Sequence, residues 1–180
     1  MTASAPAPRR AAGRAVAAAA RRLRSALPTL RQAVVGAVLW GAAMTASAGF
    51  GIALREWATW EKVSAVAKLY AVGGALAFPI AFTAARFLSL GRSAETAFAA
   101  ALVSLAAVTV VTTGLAFAVD YRSYYAEWHD VPGSLTWTLQ LVFTTLGALY
   151  QFAVLGLRLL LPFGLAALIA AGVWFARLPR

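Results

Sequence analysis

The stretch TAFAAALVSLAAVTVVTTGLAFAV, residues 96–119, contains no charged side chain and decides the fold class. It is longer than the ~20 apolar residues that an α-helix needs to cross the hydrocarbon core of a bilayer. Two apolar runs of similar length precede it, at residues 32–54 and 69–90. The pattern predicts an all-α, polytopic integral membrane helix bundle.

The overall composition leads to the same prediction. Hydrophobic residues make up 62% of the 180 residues and charged residues 12%, whereas a soluble domain has roughly 25% charged residues. A water-soluble fold must place many side chains in solvent and could not cover so much apolar surface, but a bilayer covers it directly. The chain has no cysteine, which excludes disulfides, thiolate metal sites and cysteine nucleophiles.

The region after residue 133 is too long for a single crossing. Residues 134–176 contain one charged residue, Arg158, and as one helix they would span ~64 Å, against a hydrocarbon core of ~30 Å. We expect an interfacial helix at 134–152 and a last crossing at 153–176, which gives about four transmembrane helices. The alternatives are two crossings joined by a hairpin at Arg158, or one tilted helix bent near Pro162.

The N-terminal segment is basic and lacks acidic residues. Residues 1–31 are expected to form a cytoplasmic tail, with residues 32–180 as the transmembrane bundle. A helix over 11–27 would place arginines on one face and Val16, Leu23 and Leu27 on the other. This pattern is typical of a helix at a membrane surface that binds anionic lipid. A disordered topology signal and a targeting peptide are the alternatives.

The charge distribution predicts an orientation. A net charge of +10 would suggest nucleic acid for a soluble protein, but here the arginines flank the apolar spans, so we expect no nucleic-acid partner. Arginines precede the first span, follow the second and end the chain, and five of the six acids fall on the other side. The positive-inside rule then places both termini in the cytoplasm. Arg greatly outnumbers Lys and Ala is common, which favours a bacterial cytoplasmic (inner) membrane.

Small residues recur at intervals of four within the spans, which is how membrane helices bring their backbones close together. The positions expected to pack most closely are Gly41, Thr45 and Gly49 in the first span and Gly73 and Ala77 in the second.

No motif for chemistry is present. The chain lacks a phosphate-binding loop, a dinucleotide-binding GxGxxG, a zinc-binding HExxH and a GxSxG nucleophile elbow. The acids around its one histidine, His129, match no standard metal spacing. We therefore expect a protein that is not an enzyme and that has no catalytic residue, cofactor or metal.

Five residues remain as candidates for a function. Arg158 is a charge within an apolar run, which is costly in a bilayer. Gln140 and Gln151 belong to an uncharged polar face of residues 134–152, together with Thr136, Thr144 and Gly147. Trp128 and His129 lie in an aromatic loop that would suit contact with a partner.

Three functions are compatible with these features. The leading hypothesis is an accessory or scaffold subunit of a membrane complex. The alternative is a small oligomeric channel or carrier for a small solute or anion, lined by the Thr/Gln face and Arg158. A membrane enzyme that acts on lipid through the outer loop ranks last. The expected partners are the lipid bilayer, anionic lipid at the N-terminal helix, and either other membrane proteins or further copies of this chain.

Overall fold

The computed structural model describes residues 8–54 and 59–179, with side chains from residue 16 onward. The described residues form six α-helices and no strand: α1 (Pro8–Ala26), α2 (Leu30–Ala53), α3 (Trp60–Ser89), α4 (Ala94–Tyr125), α5 (Leu135–Gln151) and α6 (Phe163–Ala176). Four helical segments are long and apolar enough to cross a membrane: Leu30–Ala53, Trp60–Ser89, Ala94–Trp128 and Leu135–Leu160. The all-α prediction is confirmed.

Hydroxyl side chains begin four of the helices. In each case the hydroxyl oxygen of the N-cap residue accepts a hydrogen bond from a backbone N–H three residues later, which satisfies a donor that the helix itself leaves unpaired. The N-cap residues are Thr29, Thr59, Ser93 and Ser134. These caps extend α3 and α4 beyond the apolar runs, because helix ends follow capping chemistry as well as hydropathy.

The helices α2, α3 and α4 pack side by side through small residues, with α3 in the middle. On α3, Gly74 lies against Met44 of α2, and Gly73 lies against Thr113 of α4. The buried face of α3 continues through Ala77, Phe78, Ala81, Phe82 and Ala85. Small side chains at the glycine and alanine positions let the backbones approach and increase van der Waals contact.

The chain breaks at a different place from the one we expected. The predicted boundary at residues 152–153 is wrong, because the helical path of α5 continues through a π-helical turn (Phe152–Gly156) and a 3-10 turn (Leu157–Leu160). The break comes at Leu161, whose backbone is extended, immediately before Pro162. A residue before proline is disfavoured in the helical region, and proline itself lacks a donor N–H.

The helices α5 and α6 lie end to end along α4. Phe152, next to α5, packs on Gly114 and Phe117 in the C-terminal half of α4. Gly172 of α6 packs on Phe98 in the N-terminal half. Residues 135–176 therefore run along α4 in a single pass, and the structure does not contain the alternative hairpin at Arg158.

One end of the bundle is rich in arginine. Phe82 near the end of α3 packs against Trp174 and Phe175 of α6, and Pro179 lies beside Arg86. The start of α2 reaches the same end, because Arg31 and Trp174 line one groove. We call this the arginine-rich end. It also carries the α3–α4 turn and α1, which packs beside residues 79–87 of α3.

Candidate functional site

The aromatic loop forms a ring cluster at the opposite end of the bundle. Tyr121, Tyr124, Tyr125 and Trp128 contact one another with ring centroids 4.8–5.9 Å apart. Trp128 is exposed and His129 is half-buried. In the described parts of the chain no group of three or more His, Asp or Glu side chains is arranged to hold a metal ion. The cluster is a surface of aromatic rings without ligating geometry.

The two glutamines of α5 serve local contacts. The Gln140 side-chain oxygen accepts the backbone N–H of Asp130 at 2.9 Å, which ties the loop to the helix. The Gln151 amide donates to the Tyr121 hydroxyl at 3.4 Å. Within one chain the polar face of α5 does not enclose a channel, because α4 is the only one of the six described helices along which α5 packs.

Arg158 lies in the 3-10 turn and is exposed. Its Nε–H donates to the carbonyl of Leu155 at 3.2 Å, three residues earlier. The structure therefore places the Arg158 side chain on the outside of the bundle and not in its interior.

Two of the predicted packing glycines lie at very close helix contacts. A Cβ at Gly41 would stand 2.9 Å from the carbonyl oxygen of Ala71 on α3, and one at Gly73 would overlap Thr113 on α4. Ala77 is fully buried.

The remaining two predicted packing positions are Thr45 and Gly49. The Thr45 hydroxyl donates to the Gly41 carbonyl of its own helix at 2.8 Å. A Cβ at Gly49 would meet no described atom within 4 Å. Gly49 is therefore not a close-contact position between the described helices, contrary to our expectation.

Polar side chains inside the bundle join helices to each other. The Trp40 indole N–H donates to the Thr109 hydroxyl at 2.9 Å, and the Tyr70 hydroxyl donates to the Gly156 carbonyl at 2.6 Å. Among the described residues with side chains, no Asp, Glu, Lys, Arg or His is buried. The interior therefore holds polar groups that fasten helices, and within the described part it holds no charge that could relay protons.

A cavity of 360 Å³ lies beside the π-helical turn, between α3 and the segment after α5. Its lining is apolar apart from Lys62, Gln151 and Tyr70. π-helical turns are often found at functional sites. Gln151 was predicted from the sequence as a candidate, but Lys62 and Tyr70 were not, because their proximity depends on how the segment after α5 folds back onto α3.

A larger groove of 770 Å³ runs between α2 and α6, and we call it the α2–α6 groove. Trp40 and Phe78 are buried at its base, and small residues form much of its walls. Its lining comprises Arg31, Gln32, Val35, Gly36, Leu39, Trp40, Ala43, Phe78, Ala167, Ala170, Ala171 and Trp174. This groove was not predicted from the sequence, although the alanines of α6 are a signal for it.

Comparison of this chain with protein-family models, with curated proteins and with solved structures found no match.

Proposed function

We propose that this chain is an integral membrane protein that serves as an accessory or scaffold subunit of a membrane complex and carries out no chemistry itself. The observation that carries the proposal is the attachment of α5. In the most apolar part of Leu135–Leu160, 11% of the residues are buried, against 28–39% in the other three candidate spans. One segment of the bundle thus lacks the packing that the other three have.

The free side of α5 is a continuous apolar stripe. At about 100° per residue, its exposed large apolar residues fall within an arc of about 100°: Leu135, Leu139, Val142, Phe143, Leu146 and Tyr150. The Thr/Gln face lies directly beside this stripe. A transmembrane helix of a partner would cover the stripe, and hydroxyl and amide groups beside it could form hydrogen bonds across the interface.

The orientation in the membrane is part of the same proposal. The arginine-rich end supports this orientation, because it carries basic side chains from several segments and cytoplasmic loops carry an excess of Lys and Arg. Under this proposal that end faces the cytoplasm of a bacterial inner membrane. Retention of the protein in membranes after an alkaline carbonate wash tests the membrane location independently of any partner.

A site-specific photo-crosslinker tests the α5 surface. Phe143 on α5 and Val103 on α4 are matched positions, because their side chains are 68% and 67% exposed. In native membranes a crosslinker at Phe143 is expected to join the chain to one other protein that also co-purifies in stoichiometric amount, whereas a crosslinker at Val103 is expected to give no protein adduct.

The alternative outcomes separate the hypotheses. An adduct with a second copy of this chain, together with a pure homo-oligomer by native mass spectrometry, would contradict the accessory role and favour an oligomeric channel or carrier. Lipid adducts alone at both positions would refute the α5 docking surface.

A further inference from the structure

The α2–α6 groove has the length of one lipid leaflet. On α2 its lining extends from Arg31 to Ala43, which at ~1.5 Å per residue is ~18 Å. One leaflet contributes about half of the ~30 Å hydrocarbon core, or ~15 Å. The groove thus starts at the arginine-rich end of the bundle and reaches about as far as an acyl chain of one leaflet extends.

The groove is lined mainly by apolar side chains. At Gly36, Ala167 and Ala171 the lining side chains are no larger than a methyl group, which leaves an apolar space open to the side of the bundle. An acyl chain matches this space in polarity and in length.

The base of the groove is rigid. The Phe78 ring lies directly on the backbone of Gly36. Trp40 is 5% exposed, and its indole N–H is held by Thr109. Since both rings are fixed by other contacts, they do not turn outward to fill the space, and the groove stays open to an apolar ligand.

The polar end of the groove is positively charged. Arg31 lines the groove and its side chain is exposed, and Trp174 provides an amphipathic ring at the same level. The Gln32 side-chain oxygen accepts the Thr29 backbone N–H at 3.0 Å, which holds this residue at the start of α2. Arg177 follows α6 at the same end. An anionic group fits this end by charge, and tryptophan prefers the headgroup level of a membrane.

From these observations we infer that the α2–α6 groove binds one acyl chain of an anionic phospholipid, with the lipid phosphate at Arg31. This inference rests on the membrane location proposed above but not on the accessory role. The acyl chain would enter the groove sideways from the leaflet at the arginine-rich end and lie over Trp40 and Phe78. The bound lipid would then form part of the surface between α2 and α6.

Native mass spectrometry of the full chain tests the site. The detergent-purified protein is stripped of lipid and titrated with phosphatidylglycerol, and in parallel with phosphatidylcholine of the same acyl chains. We expect one phosphatidylglycerol to bind at least tenfold more tightly than phosphatidylcholine. Ala170→Phe fills the groove and should abolish this binding, whereas Ala107→Phe alters an exposed alanine of α4 outside the groove and should leave it unchanged.

A second pair of variants keeps the test decisive if Ala170→Phe fails to fold. Arg31→Gln should weaken phosphatidylglycerol binding about fivefold, the effect of one basic residue near an anionic headgroup. Arg92→Gln, at the same end but outside the groove, should have no effect. Equal binding of the two lipids, or equal binding by the Arg31→Gln and Arg92→Gln variants, would overturn the inference. The alkaline wash tests the membrane location separately, so failure of one proposal is distinguishable from failure of the other.

Discussion

Replacement of Gly73 with alanine should destabilise the bundle by separating α3 from α4. A Cβ at residue 73 would stand 2.6 Å from the Cα of Thr113, whereas ordinary contacts begin at 3.4 Å. The nearest atoms belong to the backbone and to a branched side chain, so a side-chain rotation cannot relieve the overlap. The two helices must therefore move apart by about 0.8 Å, the difference between these distances.

The size of the effect follows from three contributions. Overpacking of this kind costs about 1–3 kcal/mol. The shift would also stretch the 2.7 Å hydrogen bond from the Thr112 hydroxyl to the Gly73 carbonyl, and such bonds between membrane helices contribute about 0.6 kcal/mol. The better helix propensity of alanine returns about 0.8–1 kcal/mol. The free energy of unfolding should therefore fall by about 0.6–2.8 kcal/mol.

Gly49→Ala is the matched control, because no described atom lies within 4 Å of a Cβ at that position. There the helix propensity acts alone, and the variant should be as stable as the parent or more stable by up to about 1 kcal/mol. Both variants would be measured by titrating detergent micelles with sodium dodecyl sulfate while following far-UV circular dichroism. Equal stability of the two variants would refute the argument that Gly73 sets the distance between α3 and α4.

Three further outcomes are expected. Tyr70→Phe removes the hydrogen bond to the Gly156 carbonyl and should lower stability by about 0.6–1.7 kcal/mol in the same titration; unchanged stability would show that the bond does not hold the π-helical turn. Arg158→Ala should change stability by less than about 0.5 kcal/mol and leave partner co-purification intact, so that loss of the partner with a folded protein would make Arg158 a functional residue. In intact cells a cysteine at Ser93 should resist an impermeant thiol reagent and one at Ser64 should react, and the reverse pattern would invert the proposed orientation.

The number of long apolar helices and the approximate position of the first three could be predicted from the sequence, because they depend on local properties. A helix over an apolar run such as 96–119 can be predicted from that run alone, without reference to the segments that pack against it. Hydroxyl caps such as Ser93 and Ser134 act within one turn. Even the break at Pro162 has a local cause, since proline restricts its own backbone and that of Leu161, and it was among the alternatives derived from the sequence.

Which small residues form contacts could not be predicted, because all of them share one spacing. Gly41 and Gly49 lie on the same stripe of α2, yet Gly41 faces the backbone of α3, while no described atom lies within 4 Å of a Cβ at Gly49. The difference depends on where α3 passes along α2, a property of the pair of helices. The same reasoning applies to Tyr70, whose partner Gly156 lies 86 positions away in the chain.

The sequence by itself thus determined that the chain is helical, where its apolar segments lie and where its positive charge accumulates, because hydropathy, capping and charge are read along the chain. Only the tertiary structure decided that α5 packs mainly on α4 and that a groove remains between α2 and α6. Both features depend on the volumes and directions of side chains from distant segments. The physical reason is that helix packing depends on how the side chains of two helices fit together, and those side chains come from segments that are far apart in the sequence.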